Sequence, residues 1–112
     1  MSEEVIEPKA FLYRYEAMRH EADPADAAIV LDVREEWEWD YYHLEGSVLI
    51  PMQKIPASLG RIPMDRTVYV VCAHGIRSAA VCDYLERNGY DKAVNVLGGM
   101  AAVAALRGFQ YD

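Results

Sequence analysis

The stretch VVCAHGIRSAA, residues 70–80, carries the strongest indication of the fold. It begins with apolar β-branched residues, which are typical of a buried strand, and it ends with small residues that suit a helix. Cys72, Gly75 and Arg77 stand between these two halves. The stretch therefore predicts a strand, a short loop and a helix, with a cysteine at the carboxyl end of the strand.

Short apolar runs alternate with helical patterns along the rest of the chain. The apolar runs predict strands over 28–32, 48–50, 68–71 and 93–96. Helical spacing and end signals predict helices over 8–20, 35–42, 77–88 and 98–107, a helical turn over 55–59 and a loop over 23–26. This alternation predicts an α/β fold of three layers, α/β/α, around a central, mainly parallel sheet of about five strands. Ligands of such sheets bind at the carboxyl ends of the strands, which is where Cys72 stands.

The composition is that of an ordinary globular chain. Its 112 residues predict a single domain over 1–112, which can bury roughly 65% of its unfolded surface without a disulfide or a metal. The net charge of −7 and the lack of a long basic run argue against nucleic acid and membranes as partners. The acidic N-terminus is unlike a signal peptide, and two cysteines are too few for a disulfide framework. We therefore expect free thiols in the reducing cytoplasm.

The loop after the strand has the features that activate a thiol. Its backbone amides and the start of the following helix supply positive potential, and Gly75 allows the backbone turn that lets amides converge. Arg77 adds a fixed positive charge with forked geometry. Such surroundings can lower a cysteine pKa from about 8.5 to between roughly 3.5 and 7.5. An isolated cysteine is more often a small buried apolar residue, but packing alone gives no reason for the arginine.

Three blocks of sequence resemble the single-domain rhodanese-like sulfurtransferases. The first is the loop Cys-x-x-Gly-x-Arg-Ser at residues 72–78. The second is LDVREEWEWDYYHLEGSVLIP, residues 31–51, which is similar to the Asp-Val-Arg block of that family, and the third is LGGM, residues 97–100. Their order makes the resemblance specific over nearly the whole chain. The departures concern turns and packing rather than chemistry, and they are Tyr42, Glu45 and Val103.

The resemblance implies a cycle of two half-reactions on Cys72. The thiolate would take the outer sulfur of a donor such as thiosulfate, and a thiophilic acceptor, cyanide or a thiol, would remove it from the resulting persulfide. The implied partners are this small donor and acceptor or a sulfur-relay protein, and no metal or organic cofactor is implied. The residues expected to bind the substrate are Ala73, His74, Gly75, Ile76, Arg77 and Ser78.

Further polar residues are expected to support the loop rather than react. The second block places a charged set behind the site, and since a thiolate attack needs no added base, we interpret it as a structural network of Asp32, Arg34, Glu38 and His43. Cys82, on the helix after the loop, is expected to be a packed core residue rather than a resolving thiol. Two roles stay open for His74, a contact to the donor or thiolate and a solvent-facing position.

Two other functions fit parts of this pattern. Phosphatases and arsenate reductases on the same scaffold have five residues between the cysteine and the arginine, whereas four separate Cys72 from Arg77. The shorter loop favours sulfur transfer, and turnover of a phenyl phosphate or arsenate would favour the rival. The other alternative is a sulfur carrier or interaction module that receives sulfur from a protein. The retained cysteine argues against an inert scaffold but leaves the carrier open.

Overall fold

Within the described residues, five parallel strands form one sheet. The computed structural model describes residues 4–20 and 28–111, and the loop predicted over 23–26 lies outside them. The parallel sheet of about five strands is thus confirmed. The first strand was not located from the sequence because two residues give no periodic signal. The strands are Val5–Ile6 (β1), Ile29–Asp32 (β2), Val48–Leu49 (β3), Val68–Val71 (β4) and Ala93–Val96 (β5). Their order in the sheet is β1-β5-β4-β2-β3.

In the part of the chain that the structure describes, three α-helices and two 3₁₀ helices lie between the strands, and a fourth α-helix follows the last strand. Pro8 begins the first helix, where its missing N–H costs nothing, and the Glu35 and Glu38 side chains form a capping box at the second. The turn predicted over 55–59 is part of a longer 3₁₀ segment. The helices are Pro8–Met18 (α1), Glu36–Tyr41 (α2), Ile76–Arg87 (α3) and Gly99–Leu106 (α4), with 3₁₀ helices at Met52–Lys54 and Pro56–Arg61. Within the described residues, no helix has the length and hydropathy needed to cross a bilayer.

The central strand β4 is buried on both faces. Val70 belongs to a core cluster that also contains Leu85 of α3. Val71 points to the opposite face, into a cluster with Phe11 of α1 and Met100 of α4. A parallel strand covered on both faces needs apolar residues at every position, which explains the continuous run VYVV. The two clusters confirm the three-layer α/β/α arrangement and place Cys72 at the end of the most protected strand.

The start of α4 packs directly against the cysteine loop. Gly99 has a φ of +59°, and a Cβ atom there would lie 2.5 Å from the carbonyl oxygen of Cys72 and 2.6 Å from that of Ala73. The absent side chain lets the backbones approach. The amide N–H of Met100 donates to the Cys72 carbonyl at 2.8 Å, and the N–H of Ala101 donates to the Ala73 carbonyl at 3.0 Å. The LGGM block therefore fixes the back of the loop.

Replacing Gly99 by alanine tests this contact. We expect Gly99→Ala to lower the free energy of unfolding by about 3 kcal/mol, because strain at positive φ adds to a collision with the loop backbone. Gly108→Ala is the matched control, since Gly108 also has a positive φ but no atom within 4 Å of the added Cβ. It should lose only about 1 kcal/mol. Urea unfolding of both variants measures the difference, and equal losses would contradict the close approach.

Candidate active site

The structure places Cys72 directly after β4, beneath the loop that leads into α3. The N–H of Gly75 donates to its Sγ with an N···S distance of 3.0 Å, and the Ser78 Oγ lies 3.2 Å from the same sulfur. Gly75 has a φ of +97°, a conformation that L-residues with side chains rarely adopt. Only 1% of Cys72 is exposed. The sulfur is therefore almost entirely covered by the loop and the core around it.

The loop favours the ionised form of the Cys72 thiol. Burial by itself raises the pKa of Cys72, because an apolar interior disfavours charge. Hydrogen bonds from the Ser78 hydroxyl and from the backbone amides of Ser78, Gly75 and His74 stabilise the thiolate and outweigh burial. The net result is a pKa below the ordinary cysteine value. Since the thiolate is the nucleophilic form of a cysteine, Cys72 is the candidate nucleophile of the loop.

The guanidinium of Arg77 is held by a carboxylate. Its Nη1 lies 2.8 Å from Oε1 of Glu38, and its Nη2 lies 2.9 Å from Oε2. This pairing lowers the pKa of the Glu38 carboxyl and raises that of Arg77. Glu38 also accepts the Glu35 backbone N–H at 2.9 Å. The contact between Arg77 and Glu38 ties the first turn of α3 to α2.

A second arginine, Arg34, is fully buried and uses all of its donors. Its Nε and Nη2 contact the Asp32 carboxylate at 2.9 and 2.7 Å. Nη2 also donates to the Tyr42 carbonyl at 2.7 Å, and Nη1 donates to the Glu38 carbonyl at 3.3 Å and to the Tyr111 hydroxyl at 2.8 Å. A guanidinium has five N–H groups, so none is left for a substrate. Arg34 therefore joins β2, α2 and the C-terminal segment.

The two histidines of the predicted site lie on the surface. His43 is exposed, stacks on Trp39 with ring centroids 3.8 Å apart, and has its Nδ1 2.7 Å from the Trp39 carbonyl oxygen. The structure thus gathers Asp32, Arg34 and Glu38 into one network and does not bring His43 into it. His74 is exposed on the loop, with its ring 6.4 Å from that of Tyr111.

The remaining loop residues differ in their exposure. Ala73 is buried, and its carbonyl oxygen faces α4. Ile76 begins α3 and is 80% exposed, so it forms an apolar part of the loop rim. Cys82 lies in the core cluster that contains Cys72, and burial raises the pKa of its thiol to about 12. Cys82 is therefore protonated at neutral pH. Across residues 4–20 and 28–111, no group of three His, Cys, Asp or Glu side chains could hold a metal ion.

Sequence reasoning missed two residues that touch this site. Asn95 on β5 is 6% exposed, accepts a hydrogen bond from Ser78 and donates one to the Gly75 carbonyl. An asparagine inside the apolar strand AVNV is a signal that could have found it, because a buried amide requires partners. Tyr111 reaches Arg34 from the end of the chain, and no local pattern in the sequence indicates that contact.

Residues 14–106 match the model of the rhodanese-like domain family, so the chain belongs to that family. Over 89 residues it is 35% identical to the probable adenylyltransferase/sulfurtransferase MoeZ of Mycobacterium tuberculosis, covering 78% of this chain and 23% of that protein. The chain therefore spans about a quarter of the length of this relative. A sulfurtransferase of Allochromatium vinosum is 36% identical over 83 residues, covering 74% of this chain and 77% of that protein.

A solved structure has the same fold. The crystal structure of a rhodanese-like domain protein from Staphylococcus aureus superimposes with a TM-score of 0.76 and 37% sequence identity. The alignment covers 89% of this chain and 90% of that chain. The resemblance seen in the three sequence blocks is thus confirmed at the level of the family and the fold.

Removing the charge of Glu38 tests the anchoring pair. The pKa of Glu38 is lower in the folded than in the unfolded chain. The ion pair therefore stabilises the protein at pH values above 4.5, the ordinary pKa of a glutamate. That stability is lost as the pH falls through the lowered folded-state pKa. We expect Glu38→Gln to be less stable than the wild type by about 1 kcal/mol at neutral pH, with the gap closing in acid.

Urea unfolding as a function of pH measures this gap. Glu36→Gln is the matched control, because Glu36 is an exposed carboxylate on the same helix. Its effect should stay within about 0.5 kcal/mol, as is usual for a surface substitution. A loss in Glu38→Gln that is the same at every pH would contradict the ion-pair account.

Proposed function

We propose that this protein transfers sulfur through a persulfide on Cys72. The observation that carries the proposal is the sulfur of Cys72, which accepts the Gly75 N–H at 3.0 Å and lies 3.2 Å from the Ser78 hydroxyl. These donors favour the thiolate at the carboxyl edge of the sheet. Membership of the rhodanese-like family, with relatives named as sulfurtransferases, supports sulfur transfer as the class of reaction.

The first half-reaction loads one sulfur atom onto the cysteine. The Cys72 thiolate attacks the outer sulfur of thiosulfate, and a new S–S bond forms as the old S–S bond breaks. The electron pair of the broken bond leaves with sulfite. The same amides that stabilise the thiolate are placed to stabilise negative charge on the outer sulfur of the persulfide.

The second half-reaction unloads the sulfur to a thiophilic acceptor. The carbon of cyanide, or the sulfur of a thiolate, attacks the outer sulfur of the persulfide. The S–S bond breaks, its electron pair returns to Cys72, and thiocyanate or a new persulfide leaves. The lowered pKa of Cys72 helps this step, because a less basic thiolate is a better leaving group. The two half-reactions together leave Cys72 as it began, and neither step needs a further oxidant or reductant.

The arrangement of Arg77 supports sulfur transfer over phosphate hydrolysis. Phosphoryl transfer requires cationic groups that clamp the oxygens of the transferred phosphate. Glu38 accepts one hydrogen bond from each Nη of Arg77, at 2.8 and 2.9 Å, and its carboxylate neutralises the charge of the arginine. The arginine therefore reinforces the loop and is a weaker clamp for a phosphate than an unpaired cation. This agrees with the count of four residues between Cys72 and Arg77.

Intact-mass spectrometry tests the proposed cycle. Incubation with thiosulfate should add one sulfur atom to the protein, and cyanide should then remove it with release of thiocyanate. Cys72→Ala should gain no sulfur. Cys82→Ala should keep most of the activity, because the pKa of Cys82 is raised to about 12 and its thiol is buried.

Several outcomes separate the alternatives. Loss of transfer in a folded Cys82→Ala variant would point to a mechanism with two cysteines. Loading from an organic persulfide but not from thiosulfate would show that thiosulfate is not the donor. The proposed persulfide intermediate on Cys72 would stand. Loading only from a protein persulfide would favour a relay or carrier. Turnover of a phenyl phosphate or arsenate without any sulfur loading would overturn the proposal.

A further inference from the structure

Asn95 is linked to the reactive sulfur through one buried hydroxyl group. The Ser78 Oγ lies 3.2 Å from the Cys72 Sγ and donates a hydrogen bond to the Asn95 Oδ1 at 2.5 Å. The Asn95 Nδ2 donates to the Gly75 carbonyl at 3.2 Å. Cys72, Ser78 and Asn95 are 1%, 0% and 6% exposed. These three side chains are therefore shielded from water. The hydrogen-bonding protons that they share must come from the side chains themselves and from the neighbouring backbone.

The Gly75 carbonyl fixes which way the Asn95 amide faces. A carbonyl oxygen only accepts hydrogen bonds, so the NH₂ end of the amide must point at Gly75. Turning the amide over would place two acceptor oxygens against each other in a buried site, which is costly. Asn95 is thus held with its Oδ1 toward Ser78, where it can only accept.

The single proton of the Ser78 hydroxyl then has two competing acceptors. When Cys72 is protonated, its S–H can donate to the Ser78 oxygen while the Ser78 O–H donates to Asn95, so every group is satisfied. When Cys72 is ionised, its sulfur only accepts. The Ser78 proton can then satisfy either the sulfur or the Asn95 oxygen. It turns to the sulfur because a charged acceptor binds it more strongly, and the Asn95 oxygen loses its donor. Ionisation of the thiol therefore costs one buried hydrogen bond at Asn95.

From this geometry we infer that Asn95 is a positioning residue that opposes ionisation of Cys72 by competing for the Ser78 proton. The inference rests on the proposed function for its meaning, because it gives Asn95 control over the nucleophile of sulfur transfer. In this arrangement the backbone amides favour ionisation of Cys72, and Asn95 opposes it. As long as Cys72 stays mostly ionised at the working pH, a thiolate of higher pKa is the stronger nucleophile, so the restraint benefits the attack on the donor.

Other charged and titratable groups also surround the sulfur, and they are the same in every comparison proposed below. Arg77 faces Cys72 with its charge paired to Glu38, and Cys82, which faces it from α3, is replaced by alanine in every variant compared. The Asp32–Arg34 ion pair lies beneath the neighbouring strand end, and His74 is part of the loop. Comparing variants at Asn95 and Ser78 therefore isolates the contribution of the shared proton.

A double-mutant cycle on the pKa of Cys72 tests the inference. The pKa is read from the pH dependence of iodoacetamide alkylation, followed by mass spectrometry in a Cys82→Ala background. Asn95→Leu has a similar volume and no acceptor, so the pKa of Cys72 should fall by about 0.5 to 1 pH unit. Ser78→Ala removes a donor to the thiolate, so the pKa should rise. In the Ser78→Ala background, Asn95→Leu should have no further effect.

The opposite signs distinguish this role from a merely structural one. A rise or no change of the pKa in Asn95→Leu, or an equal fall with and without Ser78, would overturn the inference. If circular dichroism shows that Asn95→Leu is unfolded, Asn95→Val replaces it, because valine is smaller and suits a strand. Both readouts concern ionisation rather than turnover, so they stand or fall separately from persulfide formation.

A measurement on the otherwise unaltered loop needs no folded variant at Asn95. In the NMR spectrum, the side-chain carbonyl resonance of Asn95 should titrate with the pKa of Cys72, in the direction of a lost hydrogen bond. Asn88 is the matched control, because its amide bonds to the Tyr84 carbonyl on the exposed end of α3 and should stay constant. An Asn95 resonance that stays unchanged while Cys72 ionises would contradict the inference.

Discussion

The carbonyl oxygens of Cys72 and Ala73 are held by the amides of Met100 and Ala101, and the active loop depends on this contact. Because the C=O and N–H of a trans peptide point in opposite directions, holding the Ala73 carbonyl at the back of the loop turns the His74 N–H toward the front. The front is where the Cys72 sulfur accepts the backbone amides of His74 and Gly75. Gly99 permits the contact, because any side chain there would collide with the loop backbone. The geometry of the cysteine loop therefore depends on a glycine that follows a different strand.

The stabilisation of the thiolate comes from dipoles and hydrogen bonds rather than from an unpaired cation. Arg77 is paired with Glu38, and the buried Arg34 is paired with Asp32. The chain as a whole carries a net charge of −7. Hydroxyl and amide donors next to the sulfur act at short range, where burial strengthens them. Two ion pairs hold the scaffold of the loop, and neutral donors set the chemistry of the sulfur.

The sequence predicted the parts of the fold that have a strong local pattern. The central strand and its neighbours were placed within one residue, since buried parallel strands read as continuous apolar runs. The strand Val5–Ile6 is too short to show a period. At the site, the cysteine loop was found from its residue types, whereas the pairing of Arg77 with Glu38 depends on the approach of α2 to α3. Asn95 and Tyr111 reach the site only through tertiary packing, so a match to sequence motifs does not identify them.

The most direct test of this account is the pKa of Cys72 in the Cys82→Ala variant at low and at high ionic strength. We predict a value below the ordinary thiol pKa of about 8.5 that is nearly the same at both salt concentrations, since buried dipoles and hydrogen bonds are screened little by salt. A value at or above about 8.5 would contradict an activated thiolate. A low value that climbs steeply with salt would show that an exposed cation, rather than the loop, lowers the pKa.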